Sequence, residues 1–264
     1  MARPVATAYG KHAVSVYRVG GGRLFACEVD MLVRGEAFTS AYTEGDNSLV
    51  VATDSMKNFI HRTAADAAPV GLEDLLVEVG TRFLARYEHV DSVEVSGRER
   101  VFAPRAGNVL QRLYDDRASA TLTLFRDGRR IEHSGREGLH LIKLSGSAFA
   151  GFVRDEYTTL PETRDRPLFV HLDVRWQNGD YARRADGERV RETLVATFAE
   201  FDSESIQHLV HEMGVRALER FPEIAALRFR AENRLWDTAH AAGDVTVYTD
   251  ARPPYGVIEL EIER

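Results

Sequence analysis

Only one of the 264 residues is a cysteine, Cys27, so the chain can form no intramolecular disulfide and no cysteine-built zinc site. Long apolar runs are missing too: nothing approaches the roughly 20 residues that cross a bilayer. No two histidines stand in a close H-x-H pair, the kind of spacing a histidine metal site would use. An excess of positive charge is also lacking. The formal charge of -7 argues against a nucleic-acid partner, which calls for a basic face. The nearest thing to a basic run, Arg183, Arg184, Arg189 and Arg191, is broken by Asp186 and Glu188 and reads as a solvated loop and helix start. The opening MARPVATAYGKH has no apolar secretory core, and the closing ELEIER carries no peroxisomal tripeptide. The expectation is a protein of the reducing cytoplasm, with no membrane or nucleic-acid partner.

What is present suits a folded, core-forming chain: 44% hydrophobic and 28% charged residues. Strand-like alternation runs from Tyr9 to Val19 and from Leu24 to Val33, with Gly20, Gly21 and Gly22 as a hairpin turn between them. Thr53 and Asp54 are N-cap candidates for a helix over SMKNFIHRTAAD. After Pro69 and Gly71, Leu72, Leu75, Leu76, Val79, Phe83, Leu84 and Tyr87 keep helical spacing. Strands resume around Asp91 to Phe102 and Ala118 to Phe125. The second half repeats the order. Strands are expected at Leu139 to Leu144 and Leu168 to Trp176, and a helix near Val190 to Glu200. A second helix follows, capped by Asp202 or Ser203, with Ile206, Leu209, Val210, Met213, Ala217 and Leu218 on its face. Phe221-Pro222 ends it, and strands return at Ala226 to Glu232 and Gly256 to Ile262. The order ββααββ, given twice, predicts an α+β fold of antiparallel sheets covered on one face by paired helices. Residues 1–130 form one module and 131–264 the next. Their bare edges and faces predict oligomerisation.

The chemistry concentrates in Leu139 to Arg166, LHLIKLSGSAFAGFVRDEYTTLPETRDR. It supplies an aromatic plane (Phe149), a cationic fork (Arg166) and a hydroxyl-rich acidic turn (Asp155, Glu156, Tyr157, Thr158, Thr159). Together these suit a flat acidic heterocycle, with stacking area and paired hydrogen bonds. Taken singly, Phe149 also reads as core and Arg166 as a surface ion-pair partner.

Four segments in order now make the chain recognisable: YGKHAVSVYRV, SLVVATDSMKNFI, the Leu139 to Arg166 stretch, and SIQ at Ser205 to Gln207. They resemble the urate oxidase family. In the third, Lys143, Phe149, Phe152, Tyr157, Leu160 and Arg166 follow the family spacing, while Leu144 replaces a small hydroxyl or β-branched residue. The resemblance implies a tunnelling fold of two tandem ββααββ modules. Four chains would close into a barrel with a central tunnel and place active sites at subunit interfaces. It implies oxidation of urate by dioxygen and water to 5-hydroxyisourate and hydrogen peroxide, with no metal and no other cofactor.

Lys11 and Thr53 match the family's catalytic dyad, an amine base and a hydroxyl that both donates and accepts. Phe149 matches the stacking residue. Arg166 and Gln207 match the pair that holds opposite edges of the purine. Ile206 stands where valine is usual and offers its backbone N–H, and Asp54 adjoins the same ligand. Asn233 matches the asparagine that holds water or dioxygen above the ring. Two residues past it, Leu235 replaces a histidine that completes the relay in many members; His240 and His12 are the nearest substitutes in sequence. The alternatives are a non-catalytic purine-binding homologue that lost its relay at Leu235, and a zinc-dependent pterin enzyme of the same fold.

Overall fold

The computed structural model describes residues 6–67, 71–114 and 116–264. The chain divides into two compact units, Met1–Ser134 and Gly135–Arg264.

The first unit opens with β1 (Tyr9–Gly20) and β2 (Arg23–Arg34). They are antiparallel, joined by Gly21 and Gly22 at φ 58 and 73, conformations that glycine adopts without cost. A 3-10 turn over Glu36–Phe38 and the short α1 (Thr39–Thr43) lead toward α2 (Thr53–Asp66) and α3 (Leu72–Arg86). Then come β3 (Ser92–Glu99), a small hairpin of β4 (Phe102–Pro104) and β5 (Leu110–Arg112), and β6 (Arg117–Phe125). The sheet order is β1-β2-β3-β6, with α2 and α3 on one face. Period-2 burial on β2 explains this. Cys27, Val29, Met31 and Val33 are fully buried against Met56, Ile60, Leu75, Val79 and Phe83 of the helices. Burial pushes the Cys27 thiol up to about 12, which leaves it an inert core residue.

The second unit takes most of β7 (Arg130–Lys143), then β8 (Leu168–Asn178), α4 (Gly187–Glu200), α5 (Ile206–Arg220) and β9 (Ile224–Asn233). An exposed hairpin of β10 (Asp237–Ala242) and β11 (Val245–Thr249) precedes β12 (Gly256–Glu263). The order is β7-β8-β9-β12, with α4 and α5 packed on one face. Leu139, Val170, Leu172, Val174, Trp176, Leu227, Phe229 and Ala231 meet Leu194, Leu209, Val210, Met213 and Ala217 there.

The antiparallel, helix-covered character expected from the sequence is what the structure has; several boundaries differ. Thr53 and Asp54 do not cap α2. Ala52 occupies the N-cap, and no side chain bonds there. Asp202 and Ser203 do not cap α5 either; Ser205 does, its hydroxyl accepting from His208 N–H at 3.1 Å. The strand expected at Leu139 begins at Arg130, because Glu132, Ser134 and Arg136 are buried polar residues that break the apolar alternation. It also ends at Lys143, leaving Leu144 exposed. Pro69 lies outside the described residues.

Candidate active site

The candidate residues fall into two groups, one in each unit. In the first unit they gather where β1 meets the start of α2. Gly10, just before Lys11, lies so close to β2 that a Cβ would come within 1.8 Å of the Met31 carbonyl oxygen. Just after Lys11 the register slips between Lys11 and Val14, and Ala13 takes φ 57. Asp30 pins this bulge by accepting from Ala13 N–H at 2.6 Å. A bulge re-aims the side chain beside it, and here that side chain is Lys11. Tyr9 then ties the strand to the helix, its hydroxyl accepting from Val51 N–H at 2.8 Å. Burial, the largest influence, raises the Tyr9 pKa. Tyr9 stands two residues before Lys11 and Val51 two before Thr53, so this bond draws the segments that carry these two candidate residues to one corner.

Thr53 and Asp54 are the first two residues of α2, whose first intrahelical bond is Met56 N–H to Ala52 O. The N–H groups of Thr53 and Asp54 therefore have no helical acceptor. The Asp54 carboxylate is committed, accepting from Lys57 Nζ at 2.6 Å and Asn58 Nδ2 at 3.0 Å. Its pKa is lowered by the Lys57 hydrogen bond first, then by the Lys57 charge, with smaller help from Asn58 and Lys11. The Lys11 charge thus lies near enough to the start of α2 to act, weakly, on Asp54. What Asp54 can still offer a ligand is its backbone N–H.

In the second unit, Phe149 and Arg166 lie on backbone that folds back on itself. Phe149 and Thr163 exchange both N–H···O bonds, at 2.7 and 2.9 Å, and Arg166 N–H donates to Ser147 O at 3.0 Å. The Arg166 guanidinium carbon sits 5.7 Å from the centre of the Phe149 ring. Phe152 covers one face of that ring, with centroids 4.8 Å apart and 14° between planes. Burial alone pulls the Arg166 pKa down, and its Nε is buried with no hydrogen-bond partner. No carboxylate pairs with it among the described residues.

The same loop is laced to the segment entering α5. Ala148 N–H donates to Ser203 O at 2.8 Å, and Ser203 N–H to Gly146 O at 3.1 Å. Two residues on, the Ser205 cap satisfies His208 N–H, while the N–H groups of Ile206 and Gln207 find no helical acceptor. Ile206 is buried and Gln207 exposed. Asn233 ends β9 opposite Val170, near the start of the strand that follows Arg166, and its Oδ1 is buried without a partner.

The acidic turn does not join these groups. Asp155 accepts from Tyr157 N–H at 3.0 Å and from the Thr158 hydroxyl at 2.9 Å, and Tyr157 is exposed. It is a self-satisfied surface turn. Neither substitute for the missing histidine stands out. His240 lies exposed on β10, and His12 faces Asp30 at 3.5 Å. Leu235 lies in the link between β9 and β10. No group of three or more metal-ligating side chains occurs among the described residues. Sequence reasoning placed Tyr9 at a strand start and Ser205 and Lys143 in matched segments, without finding the contacts they make. Only the Ser-x-x-His spacing ahead of an apolar face could have pointed to the Ser205 cap.

Comparison with known proteins identifies the family of the chain. The family model described as Uricase matches residues 7–106 and 132–259. The uric acid degradation bifunctional protein of Bacillus sp. (strain TB-90) is 38% identical over 88% of this chain. The chain spans about half of that relative, 52% of its length. The uricase of Haloferax volcanii is 37% identical, covering 97% of both chains. A crystal structure of Bacillus sp. TB-90 urate oxidase superposes with a TM-score of 0.90 at 34% identity, covering 98% of this chain and 100% of that one. The chain belongs to the uricase family.

Proposed function

We propose that this chain is a urate oxidase: it oxidises urate with dioxygen and water to 5-hydroxyisourate and hydrogen peroxide, in purine degradation. The observation that carries this is Arg166. A half-buried guanidinium without a carboxylate is costly unless an anion completes it. Here it lies over an aromatic ring, on backbone tied to a helix start with two unused N–H groups. A flat, oxygen-rich anion meets all three needs: stacking on Phe149, a charge-assisted pair of bonds from Arg166, and N–H donors at Ile206 and Gln207. The Gln207 amide adds one donor group and one acceptor, suited to the lactam edge. Asn233 would hold water or dioxygen above the ring.

Proton movement falls to Lys11 and Thr53. The Lys11 amine takes a proton through the Thr53 hydroxyl, which makes the bound urate electron-rich enough to reduce dioxygen. With Leu235 in place of an imidazole, the outer end of this relay runs through water. No metal or organic cofactor is required by this scheme. The resemblance also supports two tandem tunnelling-fold modules, and four copies arranged so that Lys11 and Thr53 of one complete the Arg166 site of another.

The test is direct. Purified protein, treated with chelator and given only urate and air-saturated buffer, is expected to consume urate and oxygen in equal amounts and release peroxide. Tight urate binding with no oxygen uptake would instead favour the non-catalytic purine-binding reading.

A further inference from the structure

Lys143 has no role in the chemistry above, yet it sits at a junction. It ends β7, and its ammonium donates to Phe201 O, the C-cap of α4, at 2.9 Å and to Asp202 Oδ1 at 3.1 Å. Its side chain is only 13% exposed, while that of Asp202 is 86% exposed. Gly146 packs under this contact at φ 77, where a Cβ would meet Asp202 Oδ1 at 2.3 Å and Lys143 Cε at 2.9 Å. Gly146 in turn donates its N–H to Asp165 Oδ1 at 2.7 Å and accepts from Ser203 N–H at 3.1 Å. Asp165 precedes Arg166, and Ser203 lies three residues before Ile206. One lysine thus ends a chain of contacts that reaches both sides of the Arg166 site.

We propose that Lys143 is a positioning residue that sets the spacing between the Phe149–Arg166 loop and the N-terminus of α5, and so the affinity for the purine anion. This rests on the urate-site reading. The ammonium satisfies the terminal carbonyl of α4 and fixes where residues 201–203 run. Those residues cannot shift without carrying Ile206 and Gln207 with them. A ligand held by both sides feels a displacement well below the size of an atom.

Lys143→Met keeps the aliphatic stem and removes the charge. The KM for urate and the calorimetric Kd for xanthine, an unreactive purine probe, are expected to rise roughly tenfold, with kcat changing less than about threefold. Lys143→Arg should restore most of the affinity. Asp202→Asn, a change at an exposed carboxylate, should shift KM in the same direction by a smaller factor, about twofold. A purely structural lysine would lower the melting temperature and leave KM and Kd unchanged, and that result overturns the proposal. Should Lys143→Met fail to fold, an unchanged KM in Asp202→Asn overturns it as well. Wild-type protein that binds neither urate nor xanthine would sink the site reading itself, before any variant is made.

Discussion

Arg166 and Lys11 both carry positive charge, yet their surroundings suit different tasks. Arg166 is half-buried, set over a ring and without a carboxylate partner among the described residues, which suits the anion-holding role proposed for it. Lys11 sits at a bulge opposite a helix start, where its amine can reach a proton. Lys11→Met is therefore expected to lower urate turnover by about 10²–10⁴-fold, with anaerobic urate binding held within about threefold. Oxygen-electrode rates beside anaerobic titration would check this; turnover within tenfold of wild type would remove Lys11 as base. His171 bears on how stability changes with pH. His171 stacks on His140, with rings 3.7 Å apart and 17° between planes. Burial first, then His140 and Arg234, push the His171 pKa below 6.5, against smaller opposing pulls from Glu232 and Asp173. The unfolded chain then binds a proton that the folded chain resists. This contribution is fully present above the unfolded value of about 6.5 and is lost as the pH falls below it. His171→Phe should melt with a shallower decline between about pH 7 and pH 5 than wild type. Parallel decline in scanning calorimetry would contradict the assignment.

Among the elements, the strands and long helices were the most legible parts of the sequence. Leu72, Leu75, Leu76, Val79 and Phe83 are all buried, so helical spacing in the sequence became packing in the fold. Helix starts were less legible. Thr53, Asp54, Asp202, Ser203 and Ser205 are chemically equivalent cap candidates, and only backbone geometry chooses among them: Ser205 is extended at φ -167, while Ala52 holds the α2 cap. The β10–β11 hairpin was not foreseen, since Asp237–Ala242 is exposed on both faces and carries no alternation. Within the candidate site, Phe149 and Arg166 stood out by residue type, while Lys11, Thr53, Gln207 and Asn233 were singled out only through the family resemblance. The acidic turn looked like part of it because composition does not show that Asp155 satisfies its own neighbours. The Ser205 cap also makes a test. Ser205→Ala should cost about 1 kcal/mol, seen as a lower melting temperature. It should weaken urate binding as the first turn of α5 frays. An unchanged melting temperature would mean that the cap bond contributes nothing.

For the whole molecule, each unit covers one sheet face with helices, and the polar side chains of the other face line up as ion pairs. Glu28, Asp30, Arg98 and Arg100 do so in the first unit, Arg230, Glu232 and Arg234 in the second. Such faces stay wet and resist collapse onto apolar partners. This suits the proposed assembly of four copies around a water-filled tunnel. Sedimentation equilibrium is expected to give four times the mass of the chain. A monomer that turns over urate at full rate would contradict shared sites.

The central claim is that Arg166, which has no carboxylate partner among the described residues, holds the purine anion. Isothermal titration with urate under argon, comparing wild type with Arg166→Ala, tests it most directly. The account predicts that wild type binds and that the variant binds at least about 100-fold more weakly, as expected when a charge-assisted bidentate contact is lost. Equal affinity in a variant that keeps the wild-type melting temperature would contradict it.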